Sequence, residues 1–189
     1  RMPVIIPPIK SQGIKTKLVP WINEVIRHSG LDLEHTGWIE PFFGTGVVGL
    51  NAPVGGRHIV GDSNPHLIHL YQGIQNGEVN EYNMRAFLEH ESRILEAADE
   101  NGYAYYREVK NRFNQEHSSF DFVFLSRAGF NGMMRFNRRG EWNIPFCQKP
   151  GRFAPARKDS ERRARPGASS SLLRHDHLAD HGHRHGCGA

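Results

Sequence analysis

Residues 38–51 read WIEPFFGTGVVGLN, with Gly44, Gly46 and Gly49 forming a G-x-G-x-x-G run. No other feature restricts the fold as much. Glycines at that spacing fit a turn whose backbone takes left-handed angles or approaches a ligand closer than a Cβ permits. The run follows a strand candidate, Trp38 to Phe42, and opens a short helix through Leu50; RHIVGD supplies a second strand ending at Asp62. Strand, glycine turn, helix and strand are the beginning of an α/β sheet. Such a turn serves a nicotinamide dinucleotide or S-adenosylmethionine equally well, or is a tight turn with no ligand.

The rest of the chain reads as mainly helical. Ile14, Leu18, Trp21, Ile22, Val25 and Ile26 recur at helical spacing, with Pro20 suited to the first turn and HSG at 28–30 as the stop. Asn64 is a candidate N-cap and Pro65 a first-turn proline, with Leu67, Tyr71 and Ile74 as the buried stripe of the helix that follows. Two further helices are predicted over 81–98 and 103–113. The first carries Met84, Phe87, Leu88, Glu91 and Leu95 on one face. SFDFVFLSRA is predicted to be a buried helix, with a strand as the alternative for so short an apolar run. MRFNRRGEWNIPF predicts a hairpin turning at Arg138, Arg139 and Gly140.

Charge is unevenly spread. Between Ser126 and Arg157 the basic residues Arg127, Arg135, Arg138, Arg139, Lys149, Arg152 and Arg157 face a single acid, Glu141. A basic block beside aromatic residues suits a phosphate backbone, although an ordinary solvated loop has the same composition. No apolar run is long enough for a membrane span, so a soluble chain with no membrane partner is expected. Its two cysteines, Cys147 and Cys187, lie far apart and suit a reducing cytoplasm. From Lys158 to Ala189 there is no Phe, Trp, Tyr, Ile or Val. That stretch reads as disordered and like a coding frame lost part-way. Its histidines (His175, His177, His181, His183 and His185, beside Cys187) are read as adventitious ligands and not a built metal site.

Three details favour S-adenosylmethionine on the glycine turn. Glu40 and Pro41 sit at the strand end, where a pyrophosphate site ordinarily has plain aliphatics. An acidic edge suits a cofactor carrying a sulfonium and an amino group. Upstream, IKSQGIKTKL offers a loop of Lys10, Gln12, Gly13 and Lys15 to close over a methionine carboxylate.

In order, IKSQGIKTKL, EPFFGTGVVGLN, GDSNPHLIHLY and SRAGFNGMMRFNRRGEWNIPF resemble the Dam-type adenine-specific DNA methyltransferases, over about Pro8 to Ala156. The resemblance implies an α/β fold: an S-adenosylmethionine-dependent, Rossmann-like methyltransferase sheet, incomplete here, with a helical target-recognition insertion and hairpin. Residues 1–80 would be the cofactor half, 81–156 the recognition region and 157–189 an unrelated tail. Lys10, Gln12, Gly13 and Lys15 would pack on the cofactor. Glu40, Pro41, Phe42, Gly44 and Gly46 would cradle its methionine end, Asp62 would take the ribose, and Asn64 would lie beside the adenosine. Phe130, Asn131, Met133 and Arg135 would approach double-stranded DNA, and Arg138 and Arg139 its phosphates.

The family's chemistry depends on an Asp-Pro-Pro-Tyr loop, or a close variant, that follows the recognition region. It holds the adenine amino group by hydrogen bonds and stacks on the flipped base. This sequence has no such motif; its one Pro-Pro pair is Pro7-Pro8. No catalytic residue is therefore assigned. The chain alone is expected to be inactive, either as a cofactor- and DNA-binding fragment or as half of a methylase completed by a second polypeptide. Cys147, in PFCQ, does not follow a proline directly and so lacks the context of a cytosine-methylase nucleophile.

Overall fold

Short polar caps set where the helices begin. In the computed structural model, which describes residues 3–147, the Asn64 side chain accepts from His66 N–H and opens α2 (Pro65–Gln75). Asn80 opens α3 (Glu81–Ala97) with a reciprocal capping box to Asn83, and Ser118 opens α5 (Ser119–Ala128) by accepting from Phe120 N–H. Each cap satisfies a backbone donor that the helix itself leaves unpaired, contributing about 1 kcal/mol. Between α3 and α5 lies α4 (Tyr103–Glu116), longer than its apolar spacing predicts; it ends at His117 in a left-handed conformation.

Helix α5 is the centre of the core. Phe122, Val123, Phe124 and Leu125 are all fully buried, so the helix is apolar around its circumference. It packs against α2, α3 and α4, which settles SFDFVFLSRA as a helix. Leu67, Leu70, Met84, Leu88, Leu95, Val109 and Phe113 close around it, joined by Ile9, Trp142 and Ile144 from outside the helices. Among these apolar groups sits one ionic junction. Arg112 Nε donates to Asp121 at 2.8 Å and its Nη2 to Glu91 at 3.0 Å, while Tyr105 donates to Glu91 at 2.7 Å. Hydrogen bonding to Asp121 raises the Arg112 pKa against the opposing cost of burial. Burial, then the Glu91 hydrogen bond, pushes Tyr105 up to about 12.

The sheet is much smaller. β1 (Trp38–Glu40) and β2 (His58–Val60) run parallel, pairing Trp38 with His58, Ile39 with Ile59 and Glu40 with Val60. β1 ends before Pro41, two residues short of the predicted strand. The predicted short helix after the glycines is a single 3-10 turn, Gly49–Asn51. Pro53 is the cause, because it holds Ala52 in an extended conformation (φ −61°, ψ 128°) from which a helix cannot continue.

Two helical expectations are corrected. Helix α1 is Val19–Arg27, with Pro20 in its first turn as expected, but it does not begin at Ile14. Gly13 takes φ +78°, and Lys15 C=O accepts from both Leu18 and Val19, a turn that precedes the helix. On α2 the buried stripe is Leu67, Leu70 and Gly73, leaving Ile74 exposed. A Cβ on Gly73 would stand 3.0 Å from Val79, so the chain beyond α2 packs on the glycine and not on Ile74.

The predicted hairpin forms by an antiparallel bridge between Phe136 and Trp142 around Arg138, Arg139 and Gly140. Asn137 N–H donates to Glu141 C=O at 2.9 Å. Buried Trp142 fixes its second arm, donating from the indole to Tyr106 Oη at 2.9 Å. The predicted tail, with its histidines and Cys187, lies outside the described residues, as do Lys149, Arg152 and Arg157. Among the described residues no helix is long and apolar enough to cross a membrane.

Candidate cofactor turn and nucleic-acid interface

Gly44 and Gly46 take φ +55° and +80°, the left-handed region that the motif predicts. A Cβ on Gly46 would fall on the Phe43 ring. At Gly44 no atom lies within 4 Å of where a Cβ would stand, so the turn has free space beside its backbone. Gly49 is needed for packing: a Cβ there would meet the Glu40 carboxylate at 2.5 Å, and Glu40 also accepts from Trp38 Nε1 at 3.0 Å. The adjacent phenylalanines part company. Phe43 is buried and meets Tyr71 edge-on at 5.0 Å, whereas Phe42 is 86% exposed. Tyr71 donates to Thr45 C=O at 2.6 Å, and this burial pushes its pKa well above the ordinary tyrosine value.

Asp62 closes the turn. One carboxylate oxygen accepts from Gly44 N–H at 2.6 Å and the other from Asn64 N–H at 2.8 Å. One side chain thus joins the glycine turn, the end of β2 and the cap of α2. Gly44, Asp62 and Asn64 are brought together in this way, while Pro41 and Phe42 are exposed and Gly46 is buried.

The loop of Lys10, Gln12, Gly13 and Lys15 contacts a different element. Gln12 N–H donates to Gly132 C=O at 3.2 Å, and a Cβ on Gly132 would meet Lys10 Cγ at 3.2 Å. Lys15 turns back on Gly13 C=O at 2.7 Å. The same N-terminal segment reaches the glycine turn through Asn51, whose amide accepts from Ile5 N–H at 2.7 Å and donates to Ile5 C=O at 2.9 Å. Residues 5–12 therefore strap the glycine-turn region to the turn Phe130–Gly132, with Ile9 buried between. The sequence carries no signal for the Asn51 end of this strap.

The turn Phe130–Gly132 holds exposed Asn131 at φ +53°. Asparagine is one of the few residues that tolerates that conformation. Phe130 and Met133 pack partly on the core, while Arg135, Arg138 and Arg139 are exposed. Arg135 leans on Asn143 C=O at 3.4 Å and Arg139 on Glu141 at 3.5 Å, both loose contacts at the surface. An exposed basic rim of this kind suits a polyanion. Sequence reasoning missed His66, whose ring stacks on Phe136 with centroids 5.0 Å apart. A lone histidine one place after a first-turn proline gives no warning of that contact.

Comparison with known proteins places the chain. Residues 11–171 match the family described as D12 class N6 adenine-specific DNA methyltransferase. The chain is 34% identical over 144 residues to the DNA adenine methylase of Haemophilus influenzae, covering 74% of this chain and 46% of that protein. It is 37% identical over 112 residues to the DNA adenine methylase of Escherichia coli K12, covering 57% and 37% respectively. Against that of Vibrio cholerae it is 32% identical over 112 residues, covering 57% and 38%. The chain thus spans under half the length of the relatives it matches.

Proposed function

The chain belongs to the D12 class N6 adenine-specific DNA methyltransferase family, and on that premise we propose that it is the cofactor-binding and target-recognition part of a DNA adenine methyltransferase. The reaction is transfer of a methyl group from S-adenosylmethionine to the exocyclic amino group of adenine in duplex DNA. The observation that carries this reading is the Asp62 clasp on an open glycine turn, strapped to a turn and hairpin with a basic rim. When bound, the cofactor supplies an electrophilic methyl group on a sulfonium. The chain's own residues hold it: the glycine turn admits its methionine end, Glu40 faces its cationic groups, and Asp62 and Asn64 serve the ribose and adenosine. The loop of Lys10, Gln12, Gly13 and Lys15, which rests on Gly132 here, would have to turn toward the glycine turn to close over it.

On the DNA side Phe130 and Asn131 enter the stack where the adenine is extruded, which a base-modifying enzyme requires. Met133 lines that approach. Arg135 reads a base edge, contributing about 1–3 kcal/mol of discrimination, and Arg138 and Arg139 hold phosphates, which orient without specifying. β1, the glycine turn, β2 and α2 are the opening of a Rossmann-like sheet. A second polypeptide carrying the rest would cover Ile39 and Ile59. The setting is cytoplasmic.

These 189 residues contain no Asp-Pro-Pro-Tyr loop, so the reading is binding of both ligands without turnover. Calorimetry with S-adenosylmethionine and with NAD, followed by a radiolabelled methyl-transfer assay on duplex DNA, tests it. S-adenosylmethionine should bind, NAD should not, and no labelled DNA should form. Binding of NAD alone would return the glycines to a nicotinamide site. Labelled product would mean that the chain completes the chemistry with groups other than that loop.

A further inference from the structure

Between the glycine-turn surface and the basic hairpin stands a cluster of rings centred on His66. Its N–H donates to Asn64 at 3.0 Å, and Asn64 N–H in turn donates to Asp62. The imidazole stacks on Phe136 at 5.0 Å with the planes only 27° apart. Phe113 meets it edge-on at 4.9 Å, His117 lies at 5.1 Å and Phe122 at 5.8 Å. Phe136 follows Arg135 directly and begins the hairpin through its bridge to Trp142. The backbone of His66 is therefore tied to Asp62 and Asn64, and its ring to the first residue of the hairpin.

We propose that His66 is a positioning residue that couples occupation of the cofactor turn to the setting of the recognition hairpin, through its stack on Phe136. The inference rests on the proposed assignment of the turn to cofactor and the hairpin to DNA. A ligand that engages Asp62 alters the bond to Asn64 N–H, and with it the first turn of α2. His66 lies in that turn, and its half-buried ring is in contact with Phe136, Phe113, His117 and Phe122, so a shift of the turn changes its stack on Phe136. Interactions between aromatic rings depend on offset and angle, so a small shift changes the pair's energy.

The coupling needs a neutral ring. The titratable groups facing it are His117 at the end of α4 and His69 one turn along α2; α5 and the hairpin contribute Phe122 and Phe136. Burial first, then His117 and His69, lowers the His66 pKa from its ordinary value. A depressed pKa favours the neutral form in the folded chain. Coupling is then complete above the ordinary histidine range and lost as pH falls through the lowered value.

The test is the affinity of S-adenosylhomocysteine for the full chain, measured by calorimetry with and without saturating sheared duplex DNA from methylation-deficient bacteria. At about pH 8, above the ordinary histidine range, DNA should change that affinity by about fivefold or more. His66→Ala should bring the ratio to within about twofold of one while both ligands still bind. His66→Phe should restore coupling and keep it unchanged as the pH is lowered, through the range in which the wild-type chain loses it. A spacer role alone would not separate Phe from His by pH. An undiminished ratio in His66→Ala, or no coupling in the wild type with both ligands bound, overturns the inference and leaves the proposed function standing. Should His66→Ala not fold, an equal loss of coupling with acid in His66→Phe overturns it. If the wild-type chain binds neither ligand, both readings fall.

Discussion

The helical region and the two-stranded sheet place their apolar residues in opposite ways. Around α5, Phe113, Phe122, Val123, Phe124 and Leu125 have no exposed surface. In the sheet, Ile39 is 72% exposed and Ile59 48%. The sequence favours neither region by composition, since both are rich in β-branched and aromatic side chains. What differs is how many elements meet. Helix α5 has α2, α3 and α4 around it, whereas among the described residues β1 and β2 have only each other as strand partners, an arrangement that cannot stand alone in water. Stability is therefore carried by the helical core of α2 to α5, while the glycine turn is held by the clasp at Asp62, the strap at Asn51 and the Tyr71 hydrogen bond.

The largest test of this contrast is Phe122→Ala. It should cost about 3–5 kcal/mol, measured by denaturant unfolding, because the surrounding helices cannot close over the space left behind. A loss below about 1 kcal/mol would mean that the core is not the keystone described. Next is Arg112→Met, which leaves Glu91 and Asp121 buried without their cation and should cost about 3 kcal/mol. Recovery on adding Glu91→Leu and Asp121→Leu would show that the cost lies in the stranded carboxylates.

The smallest effect is expected in the sheet. Ile59→Thr removes exposed apolar surface and should leave stability within about 0.5 kcal/mol while reducing aggregation measured by light scattering. A large loss of stability would show Ile59 to be packed against something, and the contrast between the two regions would fail.

Much of the local architecture was legible. Asn64, Pro65 and Pro20 announced two helix starts, the glycine run announced its left-handed turn, and Arg138-Arg139-Gly140 announced the hairpin. Each signal lies within a few residues of the bond or angle it controls. Errors had local causes, at Gly13 before α1 and at Pro53 after the glycines, as well as causes in packing. Ile74 has the spacing of a core residue but loses its place to Gly73, which Val79 approaches more closely. The resemblance in four ordered blocks carried the family, while the residues assigned to cofactor and DNA remain proposals.

The sequence by itself determined the Asn64 cap, the left-handed glycine turn and the hairpin turn at Arg138, Arg139 and Gly140, because these follow from short-range sterics, whereas packing decided between helix and strand for SFDFVFLSRA. Tertiary structure alone decided that Asp62 holds Gly44 as well as Asn64, that Arg112 gathers two buried carboxylates, and that His66 lies against Phe136. Those contacts depend on which faces meet when helices and loops pack, and side chains many positions apart carry no local mark of the partner that packing assigns to them.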